Sequence, residues 1–95
     1  MLTKLVRYQV RRDAVDAARA AILKFADEVR RKEGATARFD VFQETADPTR
    51  FFHVVAFRAA AGEKYHEGTA WRKAWLAAVE PLCLEKPVAT AIEAL

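Results

Sequence analysis

The sequence predicts an α+β fold of the ferredoxin-like type, a sandwich in which two helices cover one face of an antiparallel four-stranded sheet. Three observations predict it. Apolar residues alternate in four segments, they recur at three- and four-residue steps in two others, and the segments follow the order βαββαβ. With 95 residues, of which 53% are hydrophobic, the chain is long enough for a single domain over residues 1–95 with one core.

The first two elements are a strand over residues 2–11 and a helix over residues 14–33. The strand segment LTKLVRYQVR alternates apolar and polar side chains, which is typical of a half-buried strand. Asp13 is predicted to cap the helix, whose apolar residues then follow helical spacing. Gly34 stands where a helix commonly terminates.

Two strands follow, ATARFDVFQET and RFFHVVAFR, joined by the turn-forming segment ADPT. In the second of them Phe51, His53, Val55 and Phe57 share one face, while the other face is also apolar. This strand must therefore be covered on both sides.

The pattern becomes helical again after Gly62, where GEKYHEG is predicted to form a short turn that breaks at Gly68. Thr69 can cap a second helical piece. The C-terminal segment KPVATAIEAL alternates weakly and is predicted to form the last strand. Because two helices cover one face of the sheet, the other face stays bare, and its simplest cover is a second copy packed sheet to sheet. We therefore expect a homodimer.

Composition and charge exclude several classes of function. The net charge of +3 arises from interspersed charges of both signs, and no basic group is combined with a nucleic-acid reading motif. No Gly-rich phosphate loop, cysteine cluster or paired-histidine motif occurs, so no cofactor-binding or metal-binding residue is predicted. The N-terminus lacks the apolar run of a signal peptide or membrane span, so we expect a cytoplasmic protein without membrane contact.

The two histidines are the candidates for proton transfer near neutral pH. His66 precedes the second helical piece, where a histidine either bonds a free backbone group or stands at the mouth of a pocket. His53 lies in the middle of the third strand, where it is either a satisfied core or interface imidazole or part of a pocket wall.

The stretch KYHEGTAWRKAW concentrates aromatic side chains around His66. Trp71 and Trp75 are four residues apart, so they lie on one helix face, which suits a core as well as a ligand platform. The predicted substrate-binding residues are His53, Phe57, Tyr65, Trp71 and Trp75, and the predicted catalytic residue is His66.

These residues resemble a motif of the antibiotic biosynthesis monooxygenase family, in the dimeric α+β barrel superfamily. Members commonly carry a pattern like H-x-x-S-x-H-x-x-x-F before the second helix ends near x-P-L. HEGTAWRKAW supplies His66 for the first histidine, Thr69 for the small hydroxyl residue and Trp75 for the aromatic residue, with Trp71 where a second histidine often stands. In the third strand, Val55 stands where members often have a glutamate.

The resemblance implies a cofactor-independent monooxygenase that oxidises a quinol or polycyclic phenol with dioxygen, with His66 as acid and base. The same fold hosts other functions, so three alternatives stay open. They are a non-catalytic protein that binds a small aromatic ligand, a haem-binding or haem-degrading protein, and a structural dimer whose pocket is filled by its own side chains.

Overall fold

The computed structural model describes all 95 residues and contains four strands and three helices. The elements are β1 (Leu2–Val10), α1 (Val15–Lys32), β2 (Thr36–Gln43), β3 (Arg50–Phe57), α2 (Ala60–Glu67), α3 (Ala70–Val79) and β4 (Cys83–Ile92). The strands form one sheet in the order β2-β3-β1-β4, and all neighbours are antiparallel. The predicted ferredoxin-like fold is thereby confirmed.

The central strands β1 and β3 carry the core on the face that the helices cover. Tyr8 of β1 lies opposite Phe51 of β3. His53 of β3 lies between Val6 of β1 and Val41 of β2. Since side chains alternate between the faces of a strand, this row points towards the helices. His53 is therefore placed under α1 and α3, among the most deeply buried side chains of the chain.

The N-terminus of α1 differs from the prediction. Asp13 does not cap the helix, because it lies within a short 3-10 turn over Arg12–Ala14, and Ala14 occupies the cap position without a side-chain hydrogen bond. The path of the chain there is fixed by tertiary bonds, in which the backbone N–H of Arg11 donates to the Leu82 carbonyl. At its other end α1 stops beside Gly34 as predicted, but without the left-handed backbone that favours glycine.

The second helical region is two helices separated by a break at Gly68 and Thr69. The predicted turn before this break is in fact α2, and His66 lies in its last turn. Thr69 caps α3 as predicted, since its hydroxyl accepts a hydrogen bond from the backbone N–H of Arg72 at 3.2 Å. Gly62 lets α2 approach the α1–β2 loop, because a Cβ there would lie 3.2 Å from Ala35.

The last strand begins earlier than predicted. It starts at Cys83, directly after a 3-10 turn, and ends at Ile92. Pro87 is tolerated because β4 is an edge strand, and it coincides with an irregular register opposite Arg7 and Gln9.

The face of the sheet away from the helices is uncovered in the single chain. At its centre Val54 lies opposite Leu5 and Asp40. Exposed apolar side chains extend the face towards the β4 edge, where Val88 and Ile92 are 54% and 41% exposed. None of the three helices combines the length and the apolar composition that crossing a bilayer requires.

Candidate active site

The two imidazoles of the chain lie in one aromatic interior between the sheet and the helices. His53 comes from β3 and His66 from α2, and they are 1% and 6% exposed. Phe25 of α1 lies 6.3 Å from the His53 ring and 5.8 Å from the His66 ring, measured between centroids. Phe39 of β2 also flanks both rings, at 5.5 and 5.9 Å.

His53 belongs to a neutral hydrogen-bonded pair. The Tyr8 hydroxyl lies 2.6 Å from Nε2 of His53. Burial, reinforced by the nearby His66, lowers the pKa of His53 from 6.5 to about 3. Burial also raises the pKa of the Tyr8 phenol. The phenol therefore stays protonated and donates to an imidazole that stays neutral at physiological pH.

Trp75 completes the His53 cluster and contributes a donor without a partner. Its indole stacks on Phe25 at 4.9 Å and meets the Tyr8 ring edge-on at 5.8 Å. The indole N–H faces the Tyr8 phenol and partly offsets the effect of burial on the pKa of Tyr8. It is nevertheless too poorly placed to form a hydrogen bond with any group of the chain. An unpaired buried N–H costs free energy and is uncommon in folded proteins.

His66 belongs to an ionisable pair. Its Nδ1 lies 2.7 Å from Oε1 of Glu33, whose side chain is fully buried. The same carboxylate accepts hydrogen bonds from the Trp71 indole N–H at 2.6 Å and from the Thr36 hydroxyl at 2.7 Å. The only side-chain hydrogen bond of His66 is the one through Nδ1, so Nε2 has no partner within the chain, although it is not among the fully buried unpaired atoms.

Glu33 is the site residue that sequence reasoning missed. It is the C-cap of α1, and its backbone N–H bonds to the Val29 carbonyl. Three basic residues precede it, as the helix dipole favours, but an acid at a helix C-terminus opposes that dipole. An acid in this unfavourable place indicates a tertiary partner, and this is the signal that could have found it.

The predicted site residues are distributed over three environments. His53, Phe57 and Trp75 are packed in the core, while His66 and Trp71 are joined through Glu33. Tyr65 lies outside this interior, 55% exposed, with its ring edge-on to Trp71 at 6.4 Å. No group of three or more His, Cys, Asp or Glu side chains is placed to hold a metal ion.

A groove between α1 and α3 reaches both indoles but neither imidazole. Its volume is about 110 Å³. It is lined by Ala21, Lys24, Phe25, Glu28, Trp71, Ala74, Trp75 and Ala78. Since a cavity of about 150 Å³ holds one benzene, a fused-ring ligand fits only if side chains move.

The sequence model of the family described as antibiotic biosynthesis monooxygenase matches residues 1–80. The chain belongs to this family. The predicted membership is confirmed, and it supports an oxidoreductase role of the monooxygenase type. No sequence among the curated proteins matches the chain.

Solved structures of the family share the whole fold. A protein of Nitrosomonas europaea, described as a candidate antibiotic biosynthesis monooxygenase, is 26% identical, with a TM-score of 0.92 over 100% of this chain and 99% of its own. A Caulobacter crescentus protein with the same description is 18% identical, with a TM-score of 0.90 over 99% of this chain and 89% of its own. A third structure, of a protein from Deinococcus radiodurans, is 16% identical, with a TM-score of 0.87 over 99% of this chain and 92% of its own.

Proposed function

We propose that the protein is a cofactor-independent monooxygenase that acts on a quinol or polycyclic phenol, with His66 as the general base. Family membership supports the reaction class. One observation supports the residue: His66 is buried among aromatic rings, with one ring nitrogen held by Glu33 and the other without a partner. A base in such surroundings meets an aromatic substrate where water is scarce.

The reaction needs no reductant beyond the substrate. His66 removes the phenolic proton, and the resulting anion is electron-rich enough to pass an electron to dioxygen. Recombination forms a carbon–oxygen bond at a ring carbon that carries hydrogen. Loss of water from the hydroperoxide then gives the quinone, so one oxygen atom enters the product and the other leaves as water. The protonated imidazole first gives the phenolic proton to the peroxide anion, which forms the hydroperoxide. The imidazole then takes the hydrogen of the same ring carbon as hydroxide departs and passes that proton to the hydroxide to give water.

The surrounding residues serve binding and charge stabilisation. His53, Phe57, Trp71 and Trp75 form the interior walls for the aromatic substrate. Tyr65 lies at the exposed outer side of Trp71, where it meets the substrate only at the surface. We assign the unpaired N–H of Trp75 to the developing oxyanion, since a buried donor without a partner is preorganised for that charge. Access leads through the groove between α1 and α3 and requires displacement of its side chains.

The protein forms a homodimer through the uncovered face of the sheet. An apolar face of this kind is rarely left in water by a monomer. Val54→Asp places a charge at its centre and should convert the dimer to a monomer, because an unpaired charge buried in an interface costs about 2–5 kcal/mol. Leu23→Asp is the matched control, since Leu23 is exposed on α1, on the helical side. Light scattering at one protein concentration measures the mass, and a monomeric wild type would contradict this assembly.

Oxygen uptake tests the proposed activity. Purified protein treated with chelator is offered a panel of quinols and polycyclic phenols, beside His66→Ala and the surface control Lys64→Ala. Substrate-dependent uptake should fall by about 100-fold or more in His66→Ala and stay unchanged in Lys64→Ala. Uptake that never exceeds the autoxidation of the substrates, or an unchanged rate in His66→Ala, would contradict the proposal.

A non-catalytic aromatic binder is the second candidate. The groove between α1 and α3 favours it, because that groove contacts both indoles and neither imidazole. This function predicts that ligands quench tryptophan fluorescence without oxygen uptake, and that His66→Ala leaves their affinity unchanged.

A further inference from the structure

We infer that Glu33 is a positioning residue, which holds His66 in the tautomer protonated at Nδ1 and so leaves Nε2 as the proton acceptor. The assignment of a catalytic purpose to this tautomer rests on the proposed function, but the tautomer itself does not. It follows from the hydrogen-bond partners of one buried carboxylate.

The donors around Glu33 fix the direction of each hydrogen bond. An indole N–H can only donate, so Oε2 must accept from Trp71. Oε1 accepts from the Thr36 hydroxyl and also faces Nδ1 of His66 at 2.7 Å. Glu33 thus accepts from two donors besides His66, and a carboxylate only accepts. Nδ1 must therefore carry the hydrogen.

Hydrogen bonds and close packing hold the Glu33 carboxylate in the position that fixes the tautomer of His66. Both hydrogen bonds from Thr36 tie the residue to the start of β2, since the Thr36 backbone N–H also donates to the Glu33 carbonyl at 3.1 Å. On the other side the close approach at Gly62 keeps α2, and with it His66, against the loop at Ala35. The pair thus joins the end of α1 to the end of α2 in one arrangement.

Glu33→Gln should reverse the tautomer of His66 with almost no change of shape. An amide has one oxygen and one NH₂ group, and the Trp71 indole can only donate. The amide oxygen must therefore take the place of Oε2, which turns the NH₂ group towards Nδ1. Nδ1 then has to accept, the hydrogen moves to Nε2, and the base is lost.

A second substitution should restore the tautomer. In Glu33→Gln combined with Trp71→Phe, the indole donor is absent, so the amide is free to turn its oxygen towards Nδ1. His66 can then donate from Nδ1 again, and Nε2 is once more an acceptor. A residue with a merely structural role predicts no such recovery, because the second substitution removes a further contact and restores none.

Nitrogen-15 NMR of the imidazole rings tests the inference directly. The chain has only two histidines, and His66→Gln identifies the signals of the other ring. Spectra are recorded at about pH 8, above the usual imidazole pKa of about 6.5. We expect a proton on Nδ1 of His66 in the wild type, on Nε2 in Glu33→Gln, and on Nδ1 again in the double variant. Glu67→Gln, an exposed acid next to His66, should match the wild type.

The activity of the same proteins gives the second readout. Oxygen uptake should fall by about 100-fold or more in Glu33→Gln and recover at least about tenfold in the double variant. A proton on Nε2 in the wild type would overturn the inference even if Glu33→Gln failed to fold. Nδ1 protonated in both the wild type and Glu33→Gln would also overturn it. A wild type with the expected tautomer but without oxygen uptake on any substrate would contradict the proposed function and leave the positioning role intact.

Discussion

The surroundings of the two imidazoles differ although both rings lie in the same aromatic interior. His53 is bonded to a phenol, and its pKa falls to about 3, so it stays neutral. His66 is bonded to a carboxylate that also binds Trp71. One cluster is a neutral pair suited to packing, and the other joins a base to an acid. Two histidines of one interior thus differ in the chemistry of the group bonded to the ring, a phenol for His53 and a carboxylate for His66.

The largest difference in stability between the two clusters should appear when the hydrogen-bond partner of each imidazole is removed. Glu33→Ala leaves three donors without their acceptor, those of His66, Trp71 and Thr36, and should lower the free energy of unfolding by about 3–5 kcal/mol. Tyr8→Phe leaves only the His53 nitrogen unpaired and should cost about 1–3 kcal/mol. Urea unfolding at one protein concentration measures both, with Glu67→Ala as the exposed control. Equal losses would show that the clusters are energetically alike.

Acid should destabilise the protein through His53. The pKa of His53 is about 3 in the folded chain and 6.5 in the unfolded chain. Between these two pH values the unfolded chain therefore binds a proton at His53 that the folded chain does not bind. The contribution is complete above pH 6.5 and is lost as the pH falls towards 3, at about 1.4 kcal/mol per pH unit. His53→Gln should remove this slope, whereas the other groups titrate in both proteins. Parallel curves of unfolding free energy against pH would refute a buried neutral His53.

The smallest difference in stability should appear when the N–H group of each indole is removed. Replacing an indole by the isosteric benzothiophene removes the N–H and keeps the ring shape. At Trp71 this deprives Glu33 of a donor and should cost about 1 kcal/mol. At Trp75 the N–H has no partner, so the replacement should be neutral or stabilising. Thermal or urea unfolding measures both, and a larger loss at Trp75 would mean that its N–H is bonded in solution.

The sequence predicts the fold well because its signals are local. Alternation in β1 and β3 and helical spacing in α1 need only neighbouring residues, and they suffice for the order of the elements. The errors lie where distant contacts decide. Asp13 has the chemistry of a cap, but bonds from Arg11 to the 3-10 turn that follows α3 set the chain path there.

The candidate site was only partly predictable for the same reason. The motif around His66 is contiguous in sequence, so His66 and the two indoles stand out by inspection. Glu33 is 33 residues away from His66, and Tyr8 is 45 residues away from His53. Such pairs arise from strand register and helix docking, which no short window contains. Tyr65 lies outside the interior although it is next to His66, because adjacent residues of a helix do not share a face.

The central claim is that His66, and not His53, supplies the base. The most direct test is oxygen uptake by His66→Gln and His53→Gln beside the wild type, since the same side chain replaces each imidazole. We predict that His66→Gln loses about 100-fold or more, because glutamine cannot accept the proton, while His53→Gln stays within about tenfold of the wild type. A loss confined to His53→Gln, or equal losses in both variants, would contradict the claim.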